Sequence, residues 1–197
     1  MHTPEKKKPT LIPPRMSLTW LAVLLAALVL TVPRMAMAAT AAEIDRDVNG
    51  ALQTLYRTTP AAKKMAKIAK GILVFPDVVK AGLIIGGQYG EGALRVGGKT
   101  TGYYNTVAAS YGLQAGAQSF GYALFFLDDA SLQYLNKSEG WELGVGPSIV
   151  VVDKGVARSL STTTAKSGVY AFFFHQQGLM AGIGIQGSKI SKITPEK

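Results

Sequence analysis

The sequence predicts an α+β domain in which N-terminal amphipathic helices pack on a curved, largely antiparallel and barrel-like β-sheet, with one short internal helix. Helical periodicity is concentrated in residues 41–70, and the chain from Gly71 onward consists mainly of short apolar runs bounded by glycine or proline. Short strands at close spacing, with few long connections, favour an antiparallel sheet over alternating β-α units. Glycines inside these runs indicate strong curvature, bulges or a surface close to the backbone.

Residues 1–38 are predicted to be a secretory signal peptide. The basic cluster Lys6–Lys8 precedes the apolar run Leu18–Val32, and Ala36–Ala38 has the small-x-small form of a cleavage site. As a helix, that apolar run reaches about 22 Å, which is short of a hydrocarbon core of about 30 Å. Cleavage leaves residues 39–197, which we expect to form a single domain.

The composition limits the classes of partner and chemistry. The chain of 197 residues has a formal net charge of +9, and removing the signal takes away five basic residues and one acidic residue, which leaves +5. In an exported protein this excess indicates anionic envelope surfaces rather than nucleic acid. The absence of cysteine excludes disulfides, thiolate nucleophiles and the cysteine to which lipoprotein lipid is attached. We therefore expect any membrane contact to be non-covalent.

The first helix of the domain is predicted to begin after Thr40 and to end at Thr58. Thr40 and Glu43 have the spacing of a capping box, and Gly50 is a weak point because glycine costs roughly 1 kcal/mol relative to alanine in a helix. Apolar side chains recur at helical spacing and predict a face that packs on the sheet. These are Ile44, Val48, Leu52, Leu55 and Tyr56.

A second helix is predicted from Pro60 to Lys70, with Thr59 as its cap and Gly71 as its stop. At about 100° per residue, its lysines fall within an arc of roughly 120°, and Met65 and Ile68 lie on the opposite side, which we expect to pack against the sheet. The lysines are Lys63, Lys64, Lys67 and Lys70. A one-sided basic helix is suited to anionic lipid head groups, and the alternative interpretation is an ordinary solvated helix face.

The strands are predicted to be organised around Lys70–Gly92, where two apolar runs flank Pro76 and Asp77 and a glycine-dense segment follows. A short helix, Asp129–Leu135 with Asp128 as its cap, interrupts the later strands. The candidate strands are Ile72–Phe75, Gly82–Gln88, Gly92–Val96, Asn105–Leu113, Ala117–Leu127, Glu142–Val152, Gly168–Phe174 and Leu179–Ile185.

Several separated blocks, in order, resemble one known family, the lipid-binding SYLF domain. The resemblance covers about residues 47–190, which is nearly all of the chain after the signal. After the basic helix, the blocks are KGILVFP (Lys70–Pro76), KAGLIIGGQYGEG (Lys80–Gly92), YGLQAGAQS (Tyr111–Ser119), the pair Gly146–Pro147, and GLMAGIGIQGSKI (Gly178–Ile190).

The resemblance implies association with phospholipids through a basic amphipathic N-terminal segment. That segment corresponds here to the helix carrying Lys63, Lys64, Lys67 and Lys70. Eukaryotic members bind phosphoinositides, and some fungal members also bind actin. Because this chain carries an export signal and has no SH3 or FYVE module, we expect envelope lipids such as phosphatidylglycerol, cardiolipin or lipopolysaccharide as ligands, and we do not expect actin.

Two other motifs resemble cofactor or catalytic sites. Gly182–Gly187 spells G-x-G-x-x-G but lacks the following helix and acidic residue of a dinucleotide site. The residues around Ser119 are similar to a serine-hydrolase elbow, and His175, the one histidine after the signal, would be the base. The residues that follow Ser119, however, are strand-like rather than helical. Metal-ligand spacing is absent. The sequence therefore predicts no catalytic residue, no metal and no cofactor.

The sequence predicts a non-enzymatic, exported protein of the periplasm or cell envelope that associates peripherally with anionic phospholipid surfaces. One alternative is a structural envelope protein or small outer-membrane barrel, because the predicted number of strands and the glycine content of this chain also suit such a barrel. Against it, Gly82–Gln88 and Val145–Val152 are too continuously apolar for strands that alternate between lipid and lumen. A weaker alternative is a serine esterase that uses Ser119 and His175.

Overall fold

The computed structural model describes residues 39–82, 85–111, 116–138, 140–152, 168–178, 185 and 187–196, all within one compact unit, Ala38–Lys197. The predicted signal peptide lies outside the described residues. The helices are α1 (Ala41–Thr58), α2 (Pro60–Met65) and α3 (Asp129–Lys137). The strands are β1 (Gly71–Gly82), β2 (Ile85–Val96), β3 (Lys99–Tyr111), β4 (Gly116–Phe126), β5 (Trp141–Glu142), β6 (Ile149–Val152), β7 (Val169–Gly178) and β8 (Lys189–Ile193).

The strands form one curled sheet in the order β5-β8-β3-β2-β1-β4-β7-β6. Every neighbouring pair is antiparallel except β6 and β7, which are parallel. The sheet has the shape of a half-barrel, so the predicted α+β class with a curved, largely antiparallel sheet is confirmed. The predicted organising stretch forms the hairpin β1–β2 at the middle of the strand order.

A bulge at Pro76 explains both the length of β1 and the nearby glycines. The prediction that a strand ends at Phe75 is wrong, because β1 continues to Gly82 and Pro76 has no ladder partner on either neighbouring strand. Proline lacks a backbone N–H, so an unpaired bulge position accommodates it. A Cβ on Gly92 of β2 would lie 2.0 Å from the Val74 carbonyl oxygen, and one on Gly121 of β4 would lie 2.6 Å from the Pro76 carbonyl oxygen.

Other predicted strand boundaries differ from the structure. The Gly82–Gln88 prediction is wrong because it joins the end of β1 to the start of β2, and Gly92–Val96 is part of β2. The Glu142–Val152 prediction is also wrong, since β5 and β6 lie at opposite edges of the sheet. Most of Leu179–Ile185 lies outside the described residues. Strand β8 was not predicted, while Ala117–Leu127 matches β4 closely.

Side chains of the sheet alternate between two cores. The concave core includes residues from strands near both edges of the sheet, which shows that this face is enclosed by the curl. The helix-side core lies on the other face, where α1 and α2 cover the sheet. Concave-core residues include Phe75, Val78, Phe120, Tyr122, Leu135, Trp141 and Ile190, and helix-side residues include Val48, Leu55, Met65, Val74, Phe125 and Phe172.

Helix α1 is capped as the sequence predicts. The Thr40 hydroxyl oxygen accepts from the backbone N–H of Glu43 at 3.3 Å, and the Glu43 carboxylate accepts from the backbone N–H of Thr40 at 2.9 Å. Ile44, Val48 and Leu55 are buried on the sheet side. The predicted amphipathic helix over residues 41–58 is therefore confirmed.

Replacing Gly50 with alanine is expected to stabilise the protein by roughly 0.5–1 kcal/mol. Gly50 is exposed within α1, and a Cβ built there meets no atom within 4 Å, so only the helix propensity changes. Urea unfolding of both proteins measures the difference. A destabilised Gly50→Ala protein would show that the glycine has a role beyond its low propensity.

The cap of α3 also ties this helix to β7. Oδ1 of Asp128 accepts from the backbone N–H of Ser131 at 2.7 Å, and Oδ2 accepts from the backbone N–H of Gly168. Burial pushes the pKa of Asp128 upward, but the hydrogen bonds from Ser131 and Gly168 outweigh it, so the pKa is lowered. The predicted capping role of Asp128 is therefore confirmed.

Replacing Asp128 with alanine is expected to cost about 1–2 kcal/mol of stability at neutral pH, the usual range for an N-cap. Because the pKa is lowered in the folded protein, the contribution of the carboxylate is complete above about pH 3.9 and is lost as the pH falls through the folded pKa. Urea unfolding of parent and variant between pH 2 and 7 measures it. A difference that persisted undiminished at the acid end would contradict this assignment.

Candidate functional site

The helix that carries the first two lysines is shorter than the sequence predicts. Helix α2 ends at Met65, and residues 66–68 form a turn. Lys67 and Ile68 donate backbone hydrogen bonds three residues back, to the carbonyls of Lys64 and Met65, which tightens the chain out of the α-helix. The backbone N–H of Lys70 donates to the carbonyl of Phe126 on β4 at 2.8 Å. The helix stops early because the chain must already join the sheet at Lys70.

The prediction of four lysines on one helix face is therefore wrong in its geometry. Lys63 and Lys64 lie on the last turn of α2, Lys67 lies in the turn, and Lys70 precedes β1. All four are exposed. We call these four residues the basic segment.

The apolar side of α2 anchors the basic segment to the protein. Ala61, Ala62 and Met65 are buried in the helix-side core, with Met65 only 3% exposed. Packing of Met65 against the sheet is confirmed. Ile68 is only half buried and does not belong to that core, so the prediction that it packs like Met65 is wrong. The backbone of the segment is thus held firmly at Met65 and at Lys70.

Three of the four lysines lack a charge partner among the described residues. Within the described part of the chain, Lys63, Lys64 and Lys67 make no side-chain hydrogen bond or ion pair. Lys70 Nζ lies 3.9 Å from Oδ2 of Asp129, and both side chains are more than half exposed, so this pair contributes little to stability. Part of the pattern is also explained locally, because Lys63 and Lys64 interact favourably with the C-terminal end of the α2 dipole.

An exposed apolar patch, which was not predicted from the sequence, lies on the helix-side face beyond the helices. Val79, Tyr89 and Val107 are directly opposed on β1, β2 and β3, and each is 44–50% exposed. Ile85, farther along β2, is 67% exposed. The alternation of side chains along β2 could have indicated this patch, but the predicted strands Gly82–Gln88 and Gly92–Val96 left out Tyr89.

The candidate hydrolase residues lie on neighbouring strands without a mutual hydrogen bond. Ser119 is within β4 and pairs with Val79 on one side and Gln177 on the other. His175 is exposed, has a positive φ of 52°, and lies where the β4–β7 register shifts. Ser119 is followed by strand rather than by the helix of a nucleophile elbow. An esterase that uses this pair stays an untested alternative.

The described residues contain neither a cluster of metal-ligating side chains nor a membrane-spanning helix. No group of three or more His, Cys, Asp or Glu side chains in the described ranges could hold a metal ion. None of the helices seen there is long and apolar enough to cross a membrane. The Gly182–Gly187 motif lies mostly outside the described residues.

Comparison with protein-family models and with curated proteins finds no match for this chain.

Proposed function

We propose that this is a non-enzymatic exported protein that associates peripherally with anionic phospholipid surfaces through the basic segment. One observation carries the proposal. Lys63, Lys64 and Lys67 are exposed and unpaired among the described residues, while Met65, in their midst, is buried in the core. Exposed ammonium groups on a segment whose backbone is anchored at Met65 are suited to phosphate-bearing head groups, which supply the opposite charge.

The expected affinity is weak. Each lysine near an anionic surface contributes about 1 kcal/mol, so the three unpaired lysines supply about 3 kcal/mol. Lys70 adds less, because Asp129 already offsets part of its charge. Even four full contributions correspond to roughly millimolar affinity. Peripheral and reversible binding is therefore the expected behaviour, and firm anchoring would need a second contact.

The resemblance of the sequence to the SYLF domain supports the same proposal, since a basic N-terminal segment is implicated in lipid binding there. In this protein the predicted export signal favours phosphatidylglycerol, cardiolipin or lipopolysaccharide over phosphoinositides. The periplasm or cell envelope is the compartment that we propose. Actin and nucleic acid are not part of the proposal.

Vesicle sedimentation tests the proposed function. The protein comprising residues 39–197 is mixed with phosphatidylcholine vesicles that contain increasing fractions of phosphatidylglycerol or cardiolipin. Binding should rise with the anionic fraction and should weaken as salt shortens the Debye length from about 10 Å at 0.1 M to about 3 Å at 1 M. Equal binding to neutral and anionic vesicles would rule out the electrostatic mechanism.

A further inference from the structure

We propose that the concave face of the sheet carries a binding site for a phosphate group, built on Gln88, Lys80 and Gln118. These three residues lie in one row across β2, β1 and β4, because Lys80 is the register partner of Gln88 on one side and of Gln118 on the other. Directly opposed residues on one face of a sheet have Cβ atoms about 4.5–5.5 Å apart. The three side chains are therefore neighbours.

The row faces the concave side. Val78 and Phe120, each two residues from a member of the row, belong to the concave core. Gln88 and Gln118 are 4% and 7% exposed, whereas Val79 and Tyr89, which point to the other face, are about half exposed. Lys80 is half buried between the two glutamines. A lysine therefore lies between two buried amides at the edge of a largely apolar interior.

The row has unused hydrogen-bond donors. The Nε2 nitrogen of Gln118 is buried and finds no hydrogen-bond partner among the described residues. Gln88 Nε2 donates to the Ser188 hydroxyl at 3.3 Å, and Ser188 is fully buried. Lys80 makes no ion pair or hydrogen bond within the described ranges. Because buried polar groups are normally paired, an orphan amide beside a free ammonium indicates an acceptor that binds there.

The charge around the row selects an anion. The nearest acidic residues along these strands are Asp77 and Glu91. They are register partners of each other, and both point to the opposite face of the sheet. Lys80 and Gln118 together offer ammonium and amide N–H donors from adjacent strands. A phosphate presents several strong acceptor oxygens in different directions, so one group can accept from both side chains. The source is either a phospholipid head group or a soluble phosphate ester.

Glycines occupy the next concave positions of the three central strands. In the next concave position toward the end of the sheet, Gly82 is the register partner of both Gly86 and Gly116. These residues place no side chain between the row and the end of the three central strands. Among the described residues, these glycine positions leave space beside Lys80 for a phosphate group.

The site is independent of the proposed membrane surface. Lys80 lies nine residues beyond Gly71 along β1, or about 30 Å at the usual rise of a strand, whereas the basic segment ends at Lys70. Replacing the lysines of the basic segment should therefore leave phosphate binding unchanged. Failure of one proposal is distinguishable from failure of the other.

Isothermal titration calorimetry of the full-length chain tests the site with three probes: inorganic phosphate, glycerol 3-phosphate and monomeric dihexanoyl phosphatidylglycerol. The parent should bind at least one, and Lys80→Gln and Gln118→Leu should each weaken that binding roughly tenfold or more. Lys99→Gln, an exposed lysine at the start of β3, is the matched control and should bind as the parent does. Binding of all three probes assigns the phosphate itself, and binding of the lipid alone assigns a phospholipid head group.

A second measurement covers the case in which a variant fails to fold. In the ¹⁵N-labelled parent, the side-chain amide resonances of Gln118 should shift on addition of the bound probe, whereas those of Gln53, exposed on α1, should not. Absence of binding by all three probes would overturn the proposal. Parent-like affinity in both folded row variants, or an unmoved Gln118 resonance, would overturn it as well.

Discussion

Replacing Met65 with alanine is expected to lower the free energy of unfolding by about 2–5 kcal/mol, the range for a fully buried methionine. Met65 is 3% exposed and packs in the helix-side core, where it fastens α2 to the sheet. Removing its side chain leaves a cavity that the adjacent sheet fills only in part. Equilibrium unfolding in urea, with the same slope for both proteins, measures the loss.

Ile68→Ala is the matched control for this prediction. Ile68 is only half buried and lies outside the core, so its truncation should cost about 1 kcal/mol, clearly less than that of Met65. Vesicle binding by the folded fraction of Met65→Ala should equal that of the parent, because its lysines are unchanged. An equal loss of stability in the two variants would show that α2 is not anchored as the structure indicates.

Replacing Lys63, Lys64 and Lys67 together with glutamine is expected to weaken binding to anionic vesicles by about 3 kcal/mol, or roughly 100-fold. Stability should change by less than about 0.5 kcal/mol per residue, because all three side chains are exposed. Adding Lys70→Gln should contribute less than each of the others, since its ion pair with Asp129 already offsets part of its charge. Sedimentation at low salt measures the affinities.

The control for the lysine variant removes the same charge elsewhere. Lys99, Lys137 and Lys189 are exposed and lie on β3, α3 and β8, outside the basic segment. Their triple glutamine variant has the same net charge, so it should lose much less affinity if binding depends on position. Equal losses in the two triple variants would show that only the overall charge matters, and parent-like binding by the first would place the contact elsewhere, for example on the exposed apolar patch.

The features that the sequence predicted well are those set by residues close together in the chain. The capping box at Thr40, the cap at Asp128 and the apolar face of α1 depend on spacings of three or four residues, and the structure confirms each. The central place of Lys70–Gly92 was also predictable, because short apolar runs bounded by glycine and proline are typical of buried strands.

The features that escaped prediction depend on contacts distant in sequence. Proline ordinarily indicates the end of a strand, but Pro76 is tolerated in β1 because Gly92 and Gly121 on the flanking strands leave room at the bulge. The early end of α2 follows from the hydrogen bond between Lys70 and Phe126 on β4. The row of Gln88, Lys80 and Gln118 could be recognised only from the registers of β1 with β2 and with β4, and no local sequence pattern indicates a strand register.

The most direct test of membrane contact by the basic segment is a fluorescent probe at a single cysteine. The chain contains no cysteine, so Lys67→Cys and Lys99→Cys each provide one labelling position for a polarity-sensitive dye and remove the same charge. On vesicles rich in phosphatidylglycerol, the dye at position 67 should shift to the blue and brighten, and the dye at position 99 should not. A response at position 99 with none at position 67 would contradict the account.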